Sequence, residues 1–232
     1  MTPEQVQIKV ALRLNKAASS DYSNIQCFHI REAVNKAALD WTRRQIHGIN
    51  QKQEGDEESR MRVDDLNVLL TETLINFSDK GEYVETDTLP SDYLWFKRVY
   101  LHAKDSTCPD RRLIVAYFIE EANVDLWLND NNKCPSFAWG ETFFTLVGGK
   151  IRIYTNQEFV VDSINLIYYR KPILFDILDC EHPDGSSGSN VDIEFKDDVA
   201  EILVDEAVAL IGGDIENGSA LQTSTQRKEL NN

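Results

Sequence analysis

The sequence predicts an α+β fold, in which a helical core of two N-terminal helices and a C-terminal helix carries a mostly antiparallel β-sheet insertion. Apolar residues recur at helical spacing near both ends of the chain, whereas apolar and polar residues alternate in the central stretch Glu141 to Asp176. Between two alternating segments of that stretch stands the pair Gly148-Gly149. Two glycines can take positive φ at both central positions of a tight turn, so this pair predicts a β-hairpin.

Four regions follow from these patterns. We predict an N-terminal helical region at 1–80, a β-rich insertion at 81–178 and a flexible acidic loop at 179–194. The last region, 195–232, is a C-terminal helix with a polar tail, and we expect it to pack with 1–80 as one domain.

Two helices are predicted before residue 50. Thr2-Pro3-Glu4 is a helix start, because Thr2 can cap, proline fits the first turn and an acid favours the positive end of the helix. The first helix extends to about Ala18, and its apolar face contains Val6, Val10 and Leu14. The second runs from about Ile25 to His47 and is stopped by Gly48.

The middle of the chain predicts loops and strands. Asn50 to Ser59 has no apolar residue and indicates an exposed loop. Short apolar runs predict sheet strands around Val99 and at Leu113 to Phe118, and Phe159 to Tyr169 supplies one more. Glu120 to Asn129 fits a short helix or the continuation of a strand, since its periodicity does not decide between them.

The strongest helical pattern opens at Phe195 and ends or kinks at Gly212-Gly213. Its apolar stripe lies opposite a set of acids that we expect to be solvated: Asp197, Asp198, Glu201, Asp205 and Glu206. From Asp214 to Asn232 the chain is polar, so this tail is expected to order on a neighbouring subunit.

Charge and composition limit the classes of function. The 232 residues include 24 basic and 39 acidic ones, a formal net charge of −15. Binding of free nucleic acid is disfavoured, because such binding uses Lys and Arg to neutralise phosphates. The four cysteines form no Cys-x-x-Cys pair, so reduced thiols in a reducing cytosol are expected. No leader or membrane-spanning pattern is present.

No catalytic template is found, and we predict a protein that is not an enzyme and has no cofactor or metal. The four histidines are far apart in sequence: His29, His47, His102 and His182. The best metal candidates are carboxylates of the 179–194 loop, for which a solvated loop is the favoured interpretation: Asp179, Glu181, Asp184, Asp192 and Glu194. The aromatic residues around the predicted sheet, Trp127 and Trp139 among them, indicate core or interface packing.

Three stretches carry a family resemblance. They are AVNKAALDWTRR at Ala33 to Arg44, LPSDYLWFKRVYLHA at Leu89 to Ala103, and FKDDVAEILVDEAVALIGGDIEN at Phe195 to Asn217, with RKELNN at the end. In these stretches and in the order of its elements, the chain resembles the head-to-tail connector, or portal-adaptor ring, proteins of short-tailed bacteriophages. The likeness is nearest to the neck ring proteins of crAss-like phages.

The resemblance implies a virion structural protein in the neck or tail, assembled in the host cytoplasm. It implies a homo-oligomeric ring, usually a dodecamer, that joins the portal protein to the adjacent tail or ring protein. DNA would pass through the lumen without sequence-specific binding. The polar tail and its start are the implied oligomer and portal interface, comprising Gly213, Asp214, Ile215, Glu216, Leu221, Arg227 and Lys228.

Two other interpretations stay open at the level of sequence. The first is a small metal-dependent hydrolase that uses the acidic 179–194 loop, which requires a bound cation and a pocket with perturbed carboxylates. The second is an acidic protein that mimics nucleic acid and binds a basic partner.

Overall fold

A computed structural model describes residues 1–17, 25–49, 60–105 and 110–214. Within these ranges the chain is mixed α/β, with five α-helices and an eight-stranded curled sheet, which confirms the predicted mixed class. The chain divides into two compact units. Unit 1 comprises Met1–Leu69 and Pro172–Asn232, and unit 2 comprises Leu70–Lys171.

The unit boundaries differ from the boundaries expected at 80/81 and 178/179. Two strands precede residue 81, namely β1 (Leu70–Ile75) and β2 (Phe77–Asp79), and both pair within the sheet. After the last strand the chain returns to unit 1 at Pro172. Short strands with few apolar residues give a weak local signal, so pairing rather than composition sets these limits.

The first two helices of unit 1 lie close to the limits that their local signals predict. Helix α1 (Pro3–Ala17) starts after Thr2, whose hydroxyl accepts a hydrogen bond from the Gln5 amide at 3.4 Å. Helix α2 (Cys27–His47) ends at Gly48, which takes the left-handed conformation with φ of 68°. A short helix, α3 (Arg60–Leu66), follows, and the predicted loop at 50–59 lies outside the described residues.

Helix α5 (Asp197–Asp214) contacts both α1 and α2 and completes unit 1. The predicted apolar faces are buried: Val6, Val10 and Leu14 on α1, Val34, Ala37 and Trp41 on α2, and Leu203, Ala207 and Ile211 on α5. The Trp41 and Phe195 rings meet edge to face at 5.3 Å. The described part of helix α5 includes Gly212-Gly213, where the sequence predicts an end or a kink, and reaches Asp214 directly after this pair. Gly212 is buried there.

The remaining strands of unit 2 are β3 (Tyr83–Thr86), β4 (Tyr93–Lys104), β5 (Arg112–Phe118), β6 (Glu141–Val147), β7 (Lys150–Tyr154) and β8 (Val160–Arg170). Their order across the sheet is β1-β8-β4-β5-β6-β7-β3-β2. Neighbouring strands are antiparallel except for the pair β5 and β6, which is parallel. A parallel pair needs a crossover connection, and the chain between these two strands contains the short helix α4 (Val124–Leu128).

The central hairpin is confirmed. Strands β6 and β7 pair from Phe144↔Ile153 to Val147↔Lys150, and Gly148 and Gly149 have φ of 61° and 74°. Their positions for a side chain are open space, so the glycines are needed for backbone conformation alone. The strand predicted at Phe159 to Tyr169 is also confirmed as β8, in which Val161, Ile164, Leu166 and Tyr168 are all buried.

The segment Glu120 to Asn129, left undecided by its periodicity, is a 3-10 turn at Glu121–Asn123 followed by α4.

No described helix combines the length and apolar character needed to cross a membrane.

Candidate functional site

The acidic residues of α5 are ion-paired with the other helices of unit 1. Glu201 binds Arg13, with its Oε2 2.5 Å from the Arg13 Nη2, and it also contacts Lys9. Asp205 lies 3.3 Å from Arg13, and Glu206 pairs with Arg44 of α2. The expectation of a solvated acidic face is therefore wrong for Asp205 and Glu206.

Asp205 and Glu206 are ion-paired instead of solvated because they are buried. Asp205 is 6% exposed and Glu206 is 3% exposed, because basic residues of α1 and α2 face α5 at these positions. Helical periodicity locates an apolar stripe but gives no information on the residues that lie across from it. An ion pair buried in this way stabilises only when both partners are present, so these contacts fix the position of α5.

Contacts with Met1 and with α3 also hold the start of α5 in position. The Ile193 amide donates to the Met1 carbonyl at 3.1 Å, and Lys196 contacts both Asp64 and Asp65. Burial raises the pKa of Asp65 even though the Lys196 ammonium beside it acts in the opposite direction. Helix α5 is thus anchored along its length.

The predicted interface residues begin at the far end of this helix. Gly213 is exposed in the last turn of α5, and Asp214 is the final helical residue. The other predicted interface residues lie outside the described residues: Ile215, Glu216, Leu221, Arg227 and Lys228. Their roles stay predictions.

A disulfide joins Cys27, at the start of α2, to Cys180, with a Cα to Cα distance of 5.8 Å. The expectation of reduced thiols is wrong for this pair. Cys134 is a free thiol. No local pattern indicates this pairing, because 153 positions separate the two residues and only the folded chain brings them together.

Around Cys180, the segment 173–194 is built on the carboxylate of Asp176. This carboxylate accepts hydrogen bonds from the amides of Ile177 at 3.0 Å and Ser189 at 2.7 Å, and from the Ser189 hydroxyl at 3.1 Å. The His182 Nε2 lies 3.0 Å from it, and the Arg31 Nε of α2 lies 3.1 Å from it. Burial alone would raise the pKa of Asp176, but the hydrogen bonds outweigh burial and lower this pKa.

Asp176, His182 and Ser186 form a chain that superficially matches a Ser-His-Asp arrangement, because His182 Nδ1 lies 3.0 Å from the Ser186 hydroxyl. That hydroxyl donates to Asp184 at 2.6 Å, however, and hydrogen bonding to Ser186 lowers the pKa of Asp184. A hydroxyl that already donates its proton to a carboxylate does not donate that proton to the histidine. The chain orders the segment and does not activate Ser186.

The carboxylates named as metal candidates are not brought together. Across the described residues, no group of three or more His, Cys, Asp or Glu side chains has a geometry that could hold a metal ion. Glu194 instead accepts a hydrogen bond from the Ile173 amide at 2.7 Å, and Glu181 lies in an isolated bridge with Ser187. The hydrolase interpretation therefore gains no support from this segment.

Large apolar side chains are exposed on unit 1. On α1, Ile8 is 59% exposed and Leu12 is 57% exposed. Others lie on α3 and in the 173–194 segment: Met61, Val63, Ile173, Leu174 and Leu178. Of these residues, Ile8 and Leu12 are four positions apart on α1, so their side chains share one face of that helix.

In unit 2, the partly buried rings of Phe96, Trp127 and Phe137 pack against the core as expected, whereas Phe118 is 47% exposed. The Phe96 ring meets the Phe118 ring at 5.1 Å and the Phe144 ring at 5.4 Å. Trp139 is different, because its side chain is 81% exposed.

Comparisons with known proteins identify no relative: no family model matches the chain, and no curated protein has significant sequence similarity to it. The resemblance to phage connector proteins accordingly stays a prediction.

Proposed function

We propose that this protein is a head-to-tail connector of a short-tailed bacteriophage, forming a ring between the portal and the next tail component. The observation that carries the proposal is the order of elements. Helices α1 and α2 precede the sheet unit, α5 follows it, and α5 contacts both earlier helices. In this proposal unit 1 is a helical core made from both parts of the chain, and the sheet unit is its insertion.

The exposed face of α1 is the proposed contact between ring subunits. Ile8 and Leu12 are four residues apart, so their side chains share one face of the helix. Burying both against a neighbouring subunit would contribute about 3 kcal/mol per contact, from roughly 25 cal/mol per Å² of apolar surface. Repeated around a closed ring, this contact supplies cooperative assembly.

The charge of the chain suits a channel for DNA. With a net charge of −15 per subunit, a ring lumen lined by carboxylates would repel phosphates, and the genome would pass without adhering. The polar tail after Gly213 is the proposed strap onto the portal or an adjacent subunit, and α5 provides its fixed origin.

Solution mass and negative-stain imaging of the purified protein test the ring. We expect rings, either from the protein alone or after addition of portal protein. The double variant Ile8→Asp/Leu12→Asp should remain a folded monomer, because both side chains are more than half exposed in the subunit. Lys36→Glu is the matched control: it makes the same change in net charge at an exposed position of α2 and should still form rings. A wild-type protein that stays monomeric with portal present would overturn the proposal.

Truncation after Gly213 tests the strap. The shortened chain keeps the ion pairs that anchor α5, so its far-ultraviolet circular dichroism and melting temperature should match those of the full chain. Assembly with portal should be lost. A truncated protein that assembles normally would exclude the strap while leaving the ring intact.

A further inference from the structure

Unit 2 contains an open cavity of about 630 Å³ beside strands β5 and β6. Three aromatic rings line it: Tyr117, Trp127 and Trp139. Tyr117 is 47% exposed and Trp139 is 81% exposed. The Trp127 ring rests edge to face on the buried Phe143 at 5.6 Å, so this wall of the cavity is anchored in the core.

Trp139 is presented by an ordered turn. The Trp139 amide donates to the Ser136 hydroxyl at 3.3 Å, and the Gly140 amide donates to the Ser136 carbonyl at 3.0 Å. Gly140 has φ of 72°, a conformation that favours glycine. A tryptophan held in place yet left in water keeps a large apolar surface hydrated, so a ligand that covers it gains binding energy.

Polar groups surround these rings. Within the part of the chain that the structure describes, the side-chain amides of Asn131 and Asn132 have no protein hydrogen-bond partner. The Glu141 carboxylate lies 3.4 Å from the Tyr117 hydroxyl, which donates to it. Burial raises the pKa of Glu158, which also lines the cavity. The cavity therefore offers amide donors and acceptors together with carboxylate acceptors.

The lining disfavours an anionic ligand and already holds an ammonium group at one of its rings. Lys133 is the single basic side chain among the described lining residues, and it is paired with Asp130 at 3.5 Å. An anion would have to enter beside Glu141 and Glu158 with little compensation. A cation would compete with Lys133, whose Nζ lies 5.4 Å from the centre of the Trp127 ring.

We propose that this cavity is a binding site for a neutral oligosaccharide. The C–H face of a pyranose ring is weakly positive and suits the negative face of an indole or phenol ring. Its hydroxyl groups, each both donor and acceptor, match the amides of Asn131 and Asn132 and the Glu141 carboxylate. The volume lies within the range of pockets that enclose drug-sized ligands, which leaves room for more than one sugar ring.

The site belongs to unit 2 alone and does not depend on the connector proposal. If the protein is a virion connector, this site would bind glycans away from the head-to-tail joint. If the protein has another function, the same saccharide binding is expected.

Titration of the full chain with neutral trisaccharides tests the site. Maltotriose, cellotriose, mannotriose and triacetylchitotriose are added separately, and binding is followed by amide chemical shifts and tryptophan fluorescence. We expect at least one of them to bind. Trp139→Ala should weaken that binding by about tenfold or more, since a stacking ring is lost. Asn131→Ala/Asn132→Ala should weaken it without removing any aromatic surface.

Trp95→Ala is the matched control, because it removes a partly exposed tryptophan of the same unit that does not line the cavity. Its saccharide affinity should stay within about twofold of wild type. Failure of all four trisaccharides to shift any resonance would overturn the proposal. So would binding that persists unchanged in Trp139→Ala, or binding of a trilysine peptide in place of the sugars, which would indicate a cation site.

Discussion

At the scale of single residues, Asp176 shows how one carboxylate organises a segment with little regular structure. Three protein hydrogen bonds, a histidine and an arginine of α2 all converge on it. A carboxylate that accepts hydrogen bonds from backbone amides is stabilised in its ionised form, which lowers its pKa. Stability then depends on the charge of this one group.

Asp176→Asn should reduce the free energy of unfolding by about 2 kcal/mol at pH 7, since hydrogen bonds to a charged group are replaced by weaker ones. The folded pKa lies below the ordinary value of 3.8. The contribution is therefore fully present above that value and is lost as the pH falls through the folded pKa. Urea unfolding at pH 7 and at pH 3 should show a larger difference between wild type and variant at pH 7 than at pH 3.

Asp192→Asn controls for removal of a carboxylate from the same segment, because Asp192 is exposed. It should unfold like the wild type at both values of pH. A loss in Asp176→Asn that is equal at pH 3 and pH 7 would mean that the side chain acts through its shape and not through its charge.

The disulfide-bonded segment also contains Gly188, where neighbouring atoms leave no room for a side chain. A Cβ at Gly188 would lie 2.1 Å from the Ile177 carbonyl oxygen and 3.1 Å from the Cys180 Cβ. No L side chain fits there without a backbone shift, so only glycine permits the strand-like contact between the two halves of the segment.

At the scale of elements, α5 differs from an ordinary amphipathic surface helix. Its acids at Asp205 and Glu206 are inside unit 1, and each is balanced by an arginine of another helix. Removing one partner of a buried ion pair leaves an uncompensated charge. The resulting loss in the free energy of unfolding is larger than the net contribution of the intact pair.

Glu206→Ala should therefore reduce the free energy of unfolding by about 3 kcal/mol. Asp197→Ala removes an acid from the first turn of the same helix, where its side chain is 87% exposed, and should cost less than about 1 kcal/mol. Urea unfolding of the two variants measures the difference. Equal losses would show that Glu206 is solvated in solution.

At the scale of the whole molecule, the Cys27 to Cys180 disulfide closes a loop of chain that includes all of unit 2. Both cysteines belong to unit 1, so the crosslink limits how far the two chain segments of this unit can separate after unfolding. Long loops lose the most entropy on crosslinking.

Cys27→Ser should reduce the free energy of unfolding by about 2–5 kcal/mol under nonreducing conditions. A thiol reductant should lower the melting temperature of the wild type and leave that of the variant unchanged. Cys134→Ser, at the free cysteine, is the control and should respond to reductant like the wild type. Peptide mapping of the unreduced protein checks the pairing directly, and a digest with no Cys27 to Cys180 peptide would contradict it.

Features that depend only on neighbouring residues could be predicted from the sequence. The start of α1, the end of α2, the strand β8 and the Gly148-Gly149 hairpin follow from caps, apolar runs and permitted φ values. These signals are local because each depends on residues within one or two turns, or within one strand. The mixed α/β class follows from their combination.

Which residues lie opposite one another depends on the folded chain and could not be predicted. The tertiary structure joined Cys27 to Cys180, buried Glu206 against Arg44 and placed Tyr117 beside Glu141 in the wall of a cavity. It also paired β5 with β6 in parallel across an intervening helix. A periodic pattern indicates which face of an element is buried. The residues that pack against that face depend on the path of the whole chain, and this information is not local in the sequence.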